Sequence, residues 1–207
     1  MQKALSDLEL YFYEDDNLPP LIKIALIHAQ FETIHPFLDG NGRMGRLLIT
    51  FWLCHQEILS QPLLYLSYFF KQTRLEYYDR LMDVRLKGDW ESWVKYFLTG
   101  IASVSDEATA TAKDILSLKT SCEQLIDPLH NVNYNRLLEY LFTKPICTKS
   151  SVADYLNVSF PTASKIIDQF CELKILNDAN ASQQRYKKFS FDSYIQILNR
   201  GTEINNI

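Results

Sequence analysis

The run His35-Pro36-Phe37-Leu38-Asp39-Gly40-Asn41-Gly42-Arg43-Met44-Gly45-Arg46 joins a base to an anion cradle. Proline at 36 disfavours helical backbone at His35, so a preceding helix should end there and leave the imidazole at its mouth. An imidazole in that place can take a proton from an attacking hydroxyl near neutral pH. Gly40 and Gly42 bracket Asn41 and allow tight, positive-φ backbone that aims successive N–H groups into one concavity. The helix that follows adds its unpaired amides and positive dipole end to the same space. Arg43 and Arg46 lie three apart in its first turn, on neighbouring parts of one face. Cations there oppose the helix dipole by about 0.3 to 1 kcal/mol each, a local conflict that a bound triphosphate would resolve. Asp39 beside a phosphate cradle suits either a cap for the helix or a ligand to Mg²⁺, which takes one protein carboxylate plus phosphate oxygens and water.

The elements that must hold this run are helical. Only six glycines occur in 207 residues, and long stretches carry a 3.6-residue apolar period. One helix is expected from about Pro20 to Ile34, with Ile24, Ile27, Phe31 and Ile34 buried. A second should start near Gly42 and run to about Glu57, burying Leu47, Leu48, Phe51 and Trp52. Further helices are expected over 66–86, with a break near Lys71, and from Trp90 to about Leu118, with Gly88-Asp89 between them. Past residue 130 the texture changes. Tyr134 to Phe142 reads as a short helix ended by Pro145, and Ser150 to Leu156 as a second with a Ser cap. A third opens on Ser159 with Pro161 in its first turn and runs to about Leu173. Residues 175–177 and 186–191 then flank a polar loop, the pattern of a hairpin.

Composition narrows the classes. The chain is 47% hydrophobic and 22% charged, ordinary for a soluble globular protein. No stretch has the roughly 18 to 20 apolar residues that cross a bilayer, and residues 1–7 do not form a secretion signal. The expected location is therefore the cytoplasm, without a membrane role. Cys54, Cys122, Cys147 and Cys171 lie far apart and read as reduced thiols rather than zinc ligands. His28, His35, His55 and His130 are equally scattered. Residues 1–130 hold 12 Lys and Arg against 18 Asp and Glu, whereas residues 131–200 hold 9 against 6. A mildly basic module on an acidic body suggests two units with different partners.

The twelve-residue run resembles the signature of the Fic family, His-x-Phe-x-(Asp or Glu)-Gly-Asn-(Gly or Lys)-Arg-x-x-Arg, at every defining position. The segments 28–34, 46–49, 62–67, 76–78 and 88–93 are similar to family segments too. The resemblance implies a mainly α fold: a Fic-type helical core over 1–118, a linker over 119–130, and a winged helix-turn-helix domain with a short β-hairpin over 131–200, a tail common in one bacterial branch. It implies a protein adenylyltransferase that moves AMP from ATP to a Tyr, Ser or Thr hydroxyl of a target protein, with the chain itself among the candidate targets. By motif position, His35 is the general base and Asp39 holds Mg²⁺. Gly40, Asn41 and Gly42, with the turn Met44-Gly45, form the anion hole, while Arg43 and Arg46 grip the β- and γ-phosphates. Tyr77 and Tyr78 resemble the family's aromatic pair near the adenosine. Glycine rather than lysine at 42 sides with AMP transfer over phosphoryl transfer.

The departures lie at the start. No Glu in the chain is followed by Gly or Asn, so the family's inhibitory helix, with Ser or Thr and then Glu followed by Gly or Asn, is not matched, nor is its target-aligning flap. The chain reads as an N-terminally truncated core. Removal of AMP from a target, use of another nucleotide, and homo-oligomer formation stay open. So does a regulatory role for residues 131–200, with DNA or protein as the partner. Arg185, Lys187 and Lys188 near the wing favour DNA; Asp168 and Glu172 on the expected recognition helix oppose it.

Overall fold

The computed structural model describes residues 1–60, 66–129, 131–179 and 187–200. His130, residues 180–185 of the expected polar loop (Arg185 among them), Tyr186 of the expected second strand, and the family-like positions 62–65 lie outside them. Two compact units are present, Met1–Thr109 and Ala110–Ile207.

The first unit is built from α1 (Gln2–Tyr13), α2 (Pro20–Ile34), α3 (Asn41–His55), α4 (Leu66–Gln72), α5 (Arg74–Lys87) and the first turns of α6 (Trp90–Ile126). Pro20 opens α2 in its first turn, where an N–H would have no partner within the helix. This helix is buried nearly all round: Ile24, Ala25, Ile27 and Ala29 pack inside with Trp93 and Phe97, and Lys23, His28 and Glu32 are buried beside them. Phe31 and Ile34, expected at the core, are only half-buried. On α3 the inward face is Ile49, Trp52 and Leu53, while Leu47 and Phe51, expected inside, are exposed. Thr73 separates α4 from α5, close to the anticipated break. Gly88 (φ 68°) closes α5 in the left-handed conformation, its N–H reaching Val84 O at 3.1 Å.

In the second unit α7 (Val132–Thr143), α8 (Lys149–Leu156), α9 (Phe160–Glu172) and α10 (Asp192–Asn199) pack with three two-residue strands. β2 (Asn177–Asp178) and β3 (Phe189–Ser190) pair antiparallel, as the hairpin pattern predicts. β1 (Ile146–Cys147) adds to β3, giving the order β1-β3-β2. Ser159 caps α9 by accepting the Thr162 N–H at 3.4 Å. The cap of α8 is Thr148, not Ser150; it exchanges bonds with Ser151 at 2.9 and 3.1 Å in a capping box. Within the stretch 119–130, expected as a linker, α6 continues to Ile126 and buries Cys122 and Ile126 in this unit's core. Burial raises the Cys122 thiol to about 11 and the Cys147 thiol to about 12.

Candidate active site

The site is made where α2 ends and α3 begins. His35 caps α2 at φ 51°, ψ 58°, with its N–H held by Phe31 O at 3.0 Å. Left-handed backbone at a non-glycine residue costs free energy; His is among the types that tolerate it, and such strain gathers at functional sites. Asn41 then closes the loop. Phe37 N–H donates to its Oδ1 at 2.8 Å, and its Nδ2 donates to Phe37 O at 2.5 Å. Only 2% of Asn41 is exposed, so its side chain pins the loop and does not reach outward. Any contribution from residue 41 to an anion hole comes from its backbone.

Gly40 (φ 84°) is the N-cap of α3, and no side chain caps that helix. The amides of the first turn are therefore left to solvent or to an anion. Asp39 is not the cap: its side chain is 94% exposed and pairs with Arg43 at 3.3 Å. Gly42 lies inside α3 without a positive φ, contrary to the expectation of a second strained glycine. Its lack of a side chain serves space, since a Cβ there would lie 3.0 Å from Arg46 Nη1. Met44 is exposed and Gly45 buried.

A polar layer lies beneath this turn. His28 is fully buried, with Nδ1 3.1 Å from Gly45 O and Nε2 2.9 Å from Tyr77 Oη. A carbonyl only accepts, so Nδ1 carries the proton and Nε2 accepts from the tyrosine. Burial lowers the His28 pKa to about 4, so the ring is neutral. It stacks between Phe70 and Trp93, with centroids at 5.8 and 5.9 Å. Glu32 is 7% exposed, and burial raises its pKa. The nearby charges of His35, Arg46 and Arg85 work against that rise. Arg85 ties α5 to the last turn of α2 by donating to Glu32 O at 2.6 Å and to Thr33 Oγ1 at 3.1 Å.

Glu32 thus lies beneath the first turn of α3, within electrostatic reach of His35 and Arg46, while Asp39 and Arg43 pair on the exposed side. Tyr77 is not a surface residue of this site. It is buried, its hydroxyl is committed to His28, and burial pushes its pKa far above the phenol range. Tyr78 is exposed beside Arg74, whose guanidinium lies 5.7 Å from the ring centroid. The sequence reading overlooked His28 and Glu32. Their signal was the spacing 28, 32, 35, which lines one face of α2 with polar side chains. Among the described residues no group of three His, Cys, Asp or Glu could hold a metal. One exposed carboxylate at a phosphate cradle fits Mg²⁺, which takes most of its ligands from substrate and water.

Comparison with known proteins agrees with this geometry. Residues 1–53 match the Fic/DOC family. The protein adenylyltransferase fic-1 of Caenorhabditis elegans is 28% identical over 129 residues, 61% of this chain and 23% of the relative. A probable protein adenylyltransferase of Aquifex aeolicus is 47% identical over 38 residues, covering 18% and 12%. A Fido domain-containing protein of Dictyostelium discoideum is 60% identical over 30 residues, covering 14% and 20%. The chain therefore spans less than a quarter of the length of these relatives. The crystal structure of a Fic family protein from Desulfovibrio desulfuricans G20 shares the fold, with a TM-score of 0.53 at 22% identity, over 92% of this chain and 54% of that one. The signature at 35–46 falls inside the matched segment, so the likeness to the Fic/DOC family is carried by residues 1–53.

Proposed function

We propose that this chain is the core of a protein adenylyltransferase that uses MgATP. What supports the reading is that His35, at the left-handed exit of α2, is followed within one short loop by the uncapped start of α3, whose first turn carries Arg43 and Arg46. In the reaction a target hydroxyl oxygen attacks the α-phosphorus while His35 takes its proton. The bond from the α-phosphorus to the bridging oxygen breaks, and pyrophosphate leaves. First-turn amides of α3 donate to the α-phosphate oxygens, and Arg43 and Arg46 hold the β- and γ-phosphates; positioning and charge neutralisation supply most of such catalysis. Asp39 would hold Mg²⁺, which supplies neutralisation of the phosphate charge when bound. Arg43 must then exchange its pairing with Asp39 for a phosphate. Tyr78, not Tyr77, is the member of the tyrosine pair available to a nucleotide base.

For the second unit, the order α7-β1-α8-α9-β2-β3 supports a winged helix-turn-helix. Lys149 is engaged by Asp168 at 2.9 Å, and Lys187 by Asp178 at 2.8 Å. Cations already spent within the unit favour a protein partner over DNA.

The test is incubation of the chain with Mg²⁺ and ATP labelled at the α-phosphate, alongside His35→Ala. Protein-bound label in the wild type alone supports the assignment. Equal labelling of both refutes the role of His35.

A further inference from the structure

The reaction just described leaves one face of the first unit unused. A groove of about 830 Å³ is walled by α1 and α3, with residues of α2 and of the α1–α2 loop between them. On α1 it is lined by positions 5, 8, 9, 12 and 13, and on α3 by 48, 51, 52 and 55. Both sets step by three and four, so each helix turns one whole face to the groove for about two turns. Leu5, Leu8 and Phe12 make one wall apolar, and Leu48, Phe51 and Trp52 the other. The walls meet where Phe12 and Trp52 pack edge to face at 5.3 Å. The rims are left to solvent: Tyr13 is 81% exposed and Phe51 64%. Two adjoining apolar helix faces on a surface mark a site for another chain.

Shape and charge together choose the occupant. Ridges spaced by three and four on both walls are what a further helix packs against. Two turns of helix, about 11 Å long and 10 to 12 Å across, fill roughly 850 to 1,200 Å³, so the groove takes most of such a piece. Its charge is negative. Glu9 on the α1 wall and Glu14 and Asp15 in the loop line it and are exposed. Among the described residues Lys23 is the one Lys or Arg of the lining. It is already spent, paired with Asp16 at 3.6 Å and donating to Glu14 O. A second copy of this chain seated on a two-fold axis would bring the same carboxylates face to face, which like-charge repulsion opposes. A helix with Lys or Arg beside its apolar stripe suits both the walls and the loop.

We propose that the α1–α3 groove docks an amphipathic helix of a partner protein, apolar on the face that enters and basic on the flank that meets Glu9, Glu14 and Asp15. The inference does not depend on the adenylyl-transfer reading, because binding alone tests it.

The probe is a fluorescein-labelled peptide of about 18 residues, with Leu at helical spacings of three and four and Lys at the other positions. Its control carries Glu in place of every Lys. Anisotropy titrations compare the wild-type chain, Phe51→Ser and Tyr13→Ser on the two rims, the double variant Glu14→Gln with Asp15→Asn, and Leu75→Ser on exposed α5. Circular dichroism verifies that each is folded. The Lys peptide should bind wild type and Leu75→Ser alike, and the Glu peptide at least about tenfold more weakly. Either rim variant should weaken the Lys peptide at least about fivefold. The double variant should weaken it about threefold or more in low salt, a difference that shrinks as salt is raised. Equal binding of the two peptides overturns the inference, as does a wild-type affinity in both folded rim variants. So does an absence of saturable binding up to about 100 μM, the weak end of specific recognition. A dimer of the chain that Phe51→Ser dissolves would overturn the choice of occupant.

Discussion

Replacing Gly45 with Ala tests whether the polar layer beneath the α3 turn is as tightly built as its distances say. Inside a helix, Gly→Ala usually stabilises by about 0.5 to 1 kcal/mol. At residue 45 the new Cβ meets Glu32 Oε1 at 2.5 Å, His28 Cε1 at 3.0 Å and His28 Nδ1 at 3.2 Å. Neither neighbour can swing away: the carboxylate is buried, and the imidazole is bonded at both nitrogens and stacked between Phe70 and Trp93. Overpacking of this kind costs about 1 to 3 kcal/mol, leaving a net loss of roughly 0.5 to 2 kcal/mol after the propensity gain. Gly42→Ala is the internal control. Its Cβ meets the flexible end of Arg46 at 3.0 Å and Glu32 Oε1 at an ordinary van der Waals distance of 3.9 Å, so it should gain a few tenths of a kcal/mol. Thermal unfolding followed by circular dichroism reads both. At about 4 to 8 °C per kcal/mol for a unit of this size, Gly45→Ala should melt several degrees below wild type and Gly42→Ala at or above it. A midpoint for Gly45→Ala that rises as far as that of Gly42→Ala would refute the reasoning.

Three further outcomes follow from the same geometry. Tyr77→Phe removes the donor to His28 Nε2 and should cost about 1 to 3 kcal/mol without changing half-saturating ATP; weaker ATP use at unchanged stability would restore Tyr77 to the nucleotide site. On acidification the unfolded His28 binds a proton near pH 6.5 while the folded ring resists until about 4. Stability from that ring is thus complete above pH 6.5 and lost as pH falls towards 4, by roughly 3 kcal/mol. Glu32, raised by burial, acts with the opposite sign, since the folded state takes up its proton first. Denaturant titrations across this window should therefore show a steeper acid loss in Glu32→Gln than in wild type. Finally, with their thiols raised to about 11 and 12, Cys122 and Cys147 should resist alkylation at pH 8 in the native chain, as read by peptide mass mapping. Their modification at the unfolded rate would contradict that burial.

The candidate site was legible because its residues are local in sequence. A proline after His35, glycines at 40 and 42, and arginines three apart fix the backbone within one loop and one turn. What lies beneath was not. α2 is buried on nearly every side, so its apolar period gave one face where the fold uses several, and that face leaves out His28 and Glu32. On α3 both faces are apolar. Leu47 and Phe51 compete with Ile49 and Leu53 for the core, and only tertiary packing decides between them. Tyr77 and Tyr78 differ by one residue and hence by about 100° around α5; which of them points inward depends on where α2 lies. In the second unit the caps and the β2–β3 pair carried local signals. β1 and α10 did not, being a two-residue strand paired across the chain and a short helix without a glycine or proline to mark it. The change of charge near residue 130 suggested two units, but charge reports on surfaces and does not mark their boundary; the buried Cys122 and Ile126 show that helix α6 supplies core to the second unit.

The most direct test of the central claim, that this pocket grips a triphosphate for attack at its α-phosphorus, is a paired labelling measurement. The wild-type chain is incubated with Mg²⁺ and ATP labelled at either the α- or the γ-phosphate. The account predicts protein-bound label from the α-position and none from the γ-position. Label retained from the γ-phosphate would contradict it.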